Sequence, residues 1–312
     1  MRPELFFRTN YLYSCYITMK VLTGLFLLLA FLPFSCEKSV SFKLDNVAPK
    51  LVVEATIENG QAPNVYLSRS LAYFSTLNPD SLSASFIRNA EVWVANSTRT
   101  HKLRLYTVPL GAGYNAYYYS TDSSSLATAI TGELNTSYSL RIRWEGKEYT
   151  ATTTIPNTTR RIDSLYWKEA PAGNIPYKVV VMVRATDPRG YGDYIRYFTK
   201  QNRDPFYPGL NSVYDDQVID GTTYEIQVER GILRNGIAGK TYSFFDKGDT
   251  VTLKLCNIDK ATFDFWRTME FTYASVGNPF SSPTKVMSNI KGGALGYFGG
   301  YAAQYKGIVI PQ

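Results

Sequence analysis

A mainly β chain is predicted, on three observations. Apolar residues recur at every second position in window after window between Lys50 and Cys256. Turn-forming pairs, among them Asn59-Gly60, Glu145-Gly146, Asp220-Gly221 and Lys247-Gly248, fall between those windows. Only one stretch carries the three-to-four-residue spacing of a helix. The expected architecture is an N-terminal immunoglobulin-like or Greek-key β-sandwich over 48–156. A second β-rich region with one short α-helix follows over 163–312.

In Lys50–Glu58, Leu51, Val53, Ala55 and Ile57 share one face, while Glu54, Thr56 and Glu58 share the other. Asn59-Gly60 predicts a hairpin, and Val65 and Leu67 continue the pattern on its return. Further strands are expected at Ala90–Val94, His101–Tyr106, Tyr114–Ser120, Tyr138–Trp144 and Tyr149–Ile155, the last two joined by Glu145-Gly146-Lys147. About seven short strands within ~100 residues are the pattern of a sandwich, with the loops Ala72–Ser85 and Ser120–Thr131 at its ends. Pro156–Ile162 reads as a linker. Beyond it, strands are expected at Asp163–Trp167, Lys178–Arg184, Asp193–Lys200, Thr223–Glu229, Thr241–Phe245 and Thr250–Cys256. Asp259 can cap a helix over about 260–274, whose Phe263, Trp266, Glu270 and Tyr273 form a sheet-packing face. The glycine- and aromatic-rich tail Gly277–Gln312 reads as irregular chain docked on the body.

The first 36 residues read as an export signal. Met19-Lys20 supplies a cationic start, residues 21–34 an apolar run, and Ser35-Cys36 a small residue before a cysteine at the cleavage point. That run is shorter than the ~20 residues a membrane-spanning helix needs. Translation is expected to begin at Met19, since residues 1–18 do not suit a leader, and 37–47 reads as a polar tether. Ser35-Cys36 resembles the end of a bacterial lipobox, although Pro33 and Phe34 depart from the usual residues there. Cys36 is thus the candidate lipidation site, and two or three acyl chains would hold it stably in a membrane. Simple cleavage that leaves Cys36 as a free thiol is the alternative.

Composition removes several function classes. The chain has 312 residues, a formal net charge of +7, one histidine and three cysteines. A Cys/His zinc framework lacks ligands, and a histidine-dependent triad would have to use His101. With Cys15 removed and Cys36 acylated, Cys256 alone remains, so no internal disulfide is expected. Cys256 reads as an ordinary strand residue without a histidine partner. The cations are scattered and export argues against nucleic acid. Arg141 and Arg143, with Lys147 beyond the turn, read as a solvated face, with anionic lipid or polysaccharide contact as the second reading.

Motif candidates reduce to structure in most cases. Ser282-Pro-Thr-Lys285 matches Ser-x-x-Lys but lacks its companion elements. Gly292-Gly-Ala-Leu-Gly296 and Gly299-Gly300 lack the strand–loop–helix setting of a phosphate cradle and read as turns or close approaches. His101 reads as a surface residue. Asp215, Asp216 and Asp220 are candidate calcium ligands, although their spacing is not that of an EF-hand. Tyr117, Tyr118 and Tyr119 are candidate ligand-binding residues, because alternation on a strand leaves at least one ring exposed. No cofactor is implied.

A family resemblance runs through the mature chain. It rests on Leu51-Val-Val-Glu-Ala-Thr-Ile57, Val65-Tyr-Leu-Ser-Arg-Ser70 with Tyr73-Phe74, and Asn89-Ala-Glu-Val-Trp-Val94. Tyr138-Ser-Leu-Arg-Ile142, Lys147-Glu-Tyr-Thr-Ala151, Ile155-Pro156 and Ile162-Asp-Ser-Leu165 extend it. Asp193-Tyr-Ile-Arg-Tyr197, Gly248-Asp249, Gly277-Asn-Pro-Phe280, Ser288-Asn-Ile290 and Gly296-Tyr-Phe298 complete it. In order, these segments resemble a family of Bacteroidetes lipoproteins known as the domain of unknown function DUF4249. The resemblance implies an outer-membrane lipoprotein, on the periplasmic or the surface face, that serves TonB-dependent transport. Its expected partners are membrane lipid, through acylated Cys36, and a β-barrel transporter. The family brings no catalytic residue, and a non-enzymatic binding role is expected. The alternatives are an exported hydrolase using Asp/Glu carboxylates, and a surface adhesin or structural protein.

Overall fold

The computed structural model describes residues 48–312 apart from 72–77, 112, 172–176, 234–238, 240, 279 and 283. The signal segment, Cys36 and the 37–47 tether lie outside the described residues.

Three sheets organise the described residues. The largest contains β1 (Leu51–Glu58), β2 (Asn64–Arg69), β5 (Arg104–Gly111), β6 (Tyr114–Ser120), β11 (Tyr194–Gln201), β12 (Tyr207–Tyr214), β15 (Thr250–Ile258) and β16 (Leu295–Val309). Its eight strands run in the order β12-β11-β15-β16-β1-β2-β6-β5. A second sheet, β4-β3-β7-β8, is built from β3 (Glu91–Ala95), β4 (Thr100–Lys102), β7 (Thr136–Trp144) and β8 (Lys147–Ile155). The third contains β13 (Thr223–Val228), β10 (Lys178–Thr186) and β14 (Phe245–Asp246), with β9 (Arg161–Glu169) also paired to β10. Among the described residues two α-helices complete the fold, α1 (Pro79–Ser85) and α2 (Lys260–Ser275).

The alternation read in the sequence decides which face is buried. Leu51, Val53, Ala55 and Ile57 of β1 enter a core with Val92 and Val94 of β3 and Leu140 and Ile142 of β7. This is the predicted N-terminal sandwich, and each such side chain contributes about 2 kcal/mol by leaving water. A second core joins Val179, Val181 and Val183 of β10 to Val251, Leu253 and Leu255 of β15. The intervening residues of β15, Cys256 and Ile258, point the other way and pack with Phe263 and Phe265 of α2 and Tyr297 and Tyr301 of β16. The helix therefore lies on the outer face of the large sheet, opposite the sandwich interiors. Asp259 starts it as predicted, its Oδ1 accepting from Thr262 N at 2.8 Å. Its Oδ2 accepts from Thr153 Oγ1 and Thr154 N of β8, which also ties the helix start to the N-terminal sandwich.

The tail departs from expectation. Residues 295–309 are not irregular but form the central strand of the large sheet, parallel to β1 and antiparallel to β15. Glycines hid its periodicity, and neighbouring backbone explains them. A Cβ on Gly296 would lie 1.8 Å from Val53 O, and one on Gly300 would lie 2.5 Å from Thr154 O. The boundary expected at 156–163 also changes meaning. Strands from before and after it share one sheet, and residues 48–312 form one compact unit. Two sandwiches thus lean on a common sheet rather than on a linker.

Smaller differences have local causes. The expected strand at 101–106 is two strands, with the chain leaving the second sheet at Leu103 to enter the large one as β5. Asn78 and Pro79 start α1 inside the expected loop, through a reciprocal cap between Asn78 and Ser81. Strand β12 was concealed by Pro208 and Gly209. A proline is tolerated there because β12 lies at the sheet edge.

Candidate functional site

The outer face of the large sheet holds a row of rings and charges. Glu54 of β1 lies in register with Tyr297 of β16 on one side and Tyr66 of β2 on the other. Tyr66 meets Tyr118 of β6 at 5.6 Å between ring centres, and Tyr118 stacks on Tyr106 of β5 at 5.6 Å and 27°. Partial burial, with Glu54 and Tyr118 alongside, raises the Tyr66 phenol above its ordinary value. The row ends at β5, the edge of the sheet. There Val108 and Leu110 are exposed, and β2 pairs with β6 only at Val65 and Tyr119. The far part of the β5–β6 hairpin therefore bonds within itself, Thr107 to Tyr117 and Val108 to Ala116.

The three candidate tyrosines divide between the two faces. Tyr118 belongs to the outer row. Tyr117 points the other way, edge-on to Phe86 at 6.0 Å with the Arg88 guanidinium 5.1 Å from its ring. Tyr119 is buried; its hydroxyl donates to Ile87 O and accepts from Ala90 N, both at 3.1 Å. Tyr119 is therefore a core residue, which corrects its place among the ligand-facing candidates. None of the three is fully exposed; Tyr117 and Tyr118 are half-buried.

Toward the other edge the outer face becomes a closed polar network. Arg196 of β11 is buried, with Nε donating to Ser212 Oγ and NH1 to Tyr301 Oη, both at 3.1 Å. Ser212 in turn donates through N and Oγ to the buried Glu270 carboxylate of α2. Lys254 pairs with Glu58, which also accepts from the Tyr305 hydroxyl. Burial, reinforced by the Glu58 hydrogen bond, pushes the Tyr305 phenol up to about 12. These residues satisfy one another, which suits support of a surface better than turnover.

Other candidates resolve into structure. His101 is buried, not at the surface. Its Nε2 accepts from Asp122 N and its Nδ1 lies 2.9 Å from Thr128 Oγ1, so the neutral ring ties two points of the 120–131 loop to β4. Burial holds its pKa below the ordinary value. Burial likewise pushes the Cys256 thiol up to about 12, which leaves no thiolate nucleophile. Ser282 and Lys285 lie in irregular chain, without the helix a Ser-x-x-Lys motif requires. Gly292 and Gly293 take φ of +95° and +87°, the turn geometry expected of them. Asp215, Asp216 and Asp220 do not converge. Asp215 faces Arg267 at 3.8 Å, Asp220 accepts from Gly190 N, and Asp216 accepts from Gly192 N and Asp193 N. Asp216 meets Asp187 and Asp193 instead, one ligand atom of each lying within 4.8 Å of the others.

A platform of one ring and mixed charges on the second sheet emerges only in three dimensions, with Lys102 paired to Glu91 at 2.5 Å and Arg143 to Glu148 at 2.9 Å. Trp93 of β3 has the Arg141, Lys102 and Arg143 head groups 4.4, 5.2 and 5.6 Å from its ring. The alternation signal placed Arg141 and Arg143 on one face, but not the tryptophan between them.

The geometry defines a β protein in which two sandwiches share a sheet, with an aromatic row leading to an open edge. The chain belongs to the family described as domain of unknown function (DUF4249), whose profile matches residues 37–306. No curated protein matches it. Among the described residues, no helix is long and apolar enough to cross a membrane.

Proposed function

We propose that this protein is an outer-membrane lipoprotein, anchored through acylated Cys36, that serves a TonB-dependent transport system as a non-enzymatic accessory of its β-barrel. The observation that carries the reading is the β5 edge, where the Tyr66–Tyr118–Tyr106 row meets an outer strand border with no strand neighbour among the described residues. An open edge offers main-chain hydrogen bonds to an added strand, and adjacent tyrosines offer flat apolar area with polar tips. The family resemblance supplies the transport setting. A photo-crosslinking residue at Leu110, activated in native membranes, tests it. Recovery of a β-barrel adduct supports the reading, and adducts without any barrel contradict it.

Trp93 and its three cations favour a second reading, a surface protein binding anionic polymer. That reading predicts retention on an anionic polysaccharide, lost in Trp93→Ala and in high salt.

A further inference from the structure

The chain carries a cluster of buried charge that the accessory role does not use. Asp187 follows β10, Asp193 precedes β11 and Asp216 follows β12, so the third sheet and the large sheet both contribute. Asp187 and Asp216 are buried, and Asp193 is half-buried. Each carboxylate commits an oxygen to the protein. Asp187 Oδ1 accepts from Arg160 Nε at 2.7 Å, Asp193 Oδ1 from Thr159 Oγ1 at 2.8 Å, and Asp216 Oδ2 from Gly192 N and Asp193 N. The second oxygen of Asp187, on a side chain with 0% exposure, has no hydrogen-bond partner among the described residues.

Charge does not balance there. Three carboxylates face one guanidinium, which leaves two negative charges in a site largely removed from water, a costly arrangement without a counterion. Arg160 supplies a single positive charge, and its Nε is engaged by Asp187. The residue also lines a cleft of about 370 Å³ beside Tyr224 and Ile219. An anion in that cleft would have the same three carboxylates behind the arginine.

We propose that Asp187, Asp193 and Asp216 form a calcium site that staples the two sheets of the C-terminal sandwich together. The ligand chemistry selects the ion. Three carboxylates, one oxygen of each lying within 4.8 Å of the others, suit a hard cation, and calcium tolerates an irregular protein shell where magnesium demands a near-ideal octahedron. Calcium also accepts the carbonyl and water oxygens that a loop site supplies. Bound calcium would pin the 187–193 turn, which carries exposed Arg189, to the 216–222 turn already laced to it by Asp220.

The test uses the full chain, purified in detergent and stripped with EDTA. Titration with CaCl2 is followed by calorimetry, by melting temperature and by trypsin cleavage after Arg189. The site predicts saturable heat with a Kd of about 1 mM or tighter, as in extracellular calcium modules. It also predicts a rising melting temperature and protection of Arg189, none of them reproduced by MgCl2. Asp193→Asn keeps an acceptor for Thr159 and is expected to fold, with calcium affinity at least tenfold weaker. Asp187→Asn is the poorer variant, because it removes the charge of the carboxylate paired with the buried Arg160 guanidinium. Absence of heat and of any melting shift at about 10 mM calcium, ten times the weakest affinity of such modules, would overturn the site. So would unchanged affinity in Asp193→Asn, and an equal response to magnesium would overturn the choice of ion.

Discussion

The guanidinium carbon of Arg196 lies 3.4 Å from the centre of the Trp266 indole, and Tyr301 Oη accepts from both side chains. This contact fastens α2 to the outer face of the large sheet, because Arg196 belongs to β11 and Trp266 to the helix. Truncating a buried charge leaves its partners unpaired, so Arg196→Met is expected to cost about 3 kcal/mol. Denaturant unfolding measures it. A loss below 0.5 kcal/mol, about that of an inconsequential surface change, would show that the helix docks through its apolar face alone.

Gly296 is predicted to be the least replaceable glycine of β16. Its φ is +100°, and a Cβ would strike Val53 O of the parallel strand. Backbone strain and overpacking add, so Gly296→Ala should cost about 3 kcal/mol or more, read from the unfolding midpoint. Gly307→Ala is the control: the nearest atom to its Cβ is 3.8 Å away, and little loss is expected.

Tyr118 and Tyr119 are neighbours with opposite predicted effects. Tyr119→Phe removes a hydroxyl that both donates and accepts inside the protein and should cost about 1–3 kcal/mol. Tyr118→Ala should change stability much less while reducing the Leu110 crosslink to the barrel. Equal stability losses in the two variants would contradict the division between faces.

His101 gives a pH dependence of known sign. Burial lowers its folded-state pKa, so the unfolded chain binds the proton more readily. The stability this confers is complete above the unfolded value near 6.5 and fades as pH falls from there toward the depressed folded value. Unfolding midpoints compared at pH 7.5 and about 5.5 should fall further in the wild type than in His101→Gln. An identical fall in both would contradict the burial argument.

Cys256 should resist alkylation in the native state at pH 8, where a thiol with a pKa pushed to about 12 is almost wholly protonated, and should label fully once unfolded. Rapid native labelling would place it at the surface.

What the sequence disclosed follows from how much of each signal is local. The face of β1, the Asp259 cap and the Glu145-Gly146 turn each depend on residues within a few positions, and all three were legible. Strand β16 was not, because Gly296, Gly299 and Gly300 answer to atoms of Val53, Tyr297, Thr262 and Thr154, three of them remote in the chain. The Tyr117–Tyr119 run showed alternation but not which face was which. That depends on Tyr66 and Tyr106 from other strands. Asp216 stood out as acidic, while its companions Asp187 and Asp193 lie more than twenty positions away, and Asp193 read only as the start of a strand.

The proposal that Cys36 carries acyl chains is tested most directly by metabolic labelling with an alkyne fatty acid, in wild type and in Cys36→Ala. The account predicts a labelled, membrane-retained wild type and an unlabelled variant released from the membrane. An unlabelled wild type, or a variant that fractionates as the wild type does, would contradict it.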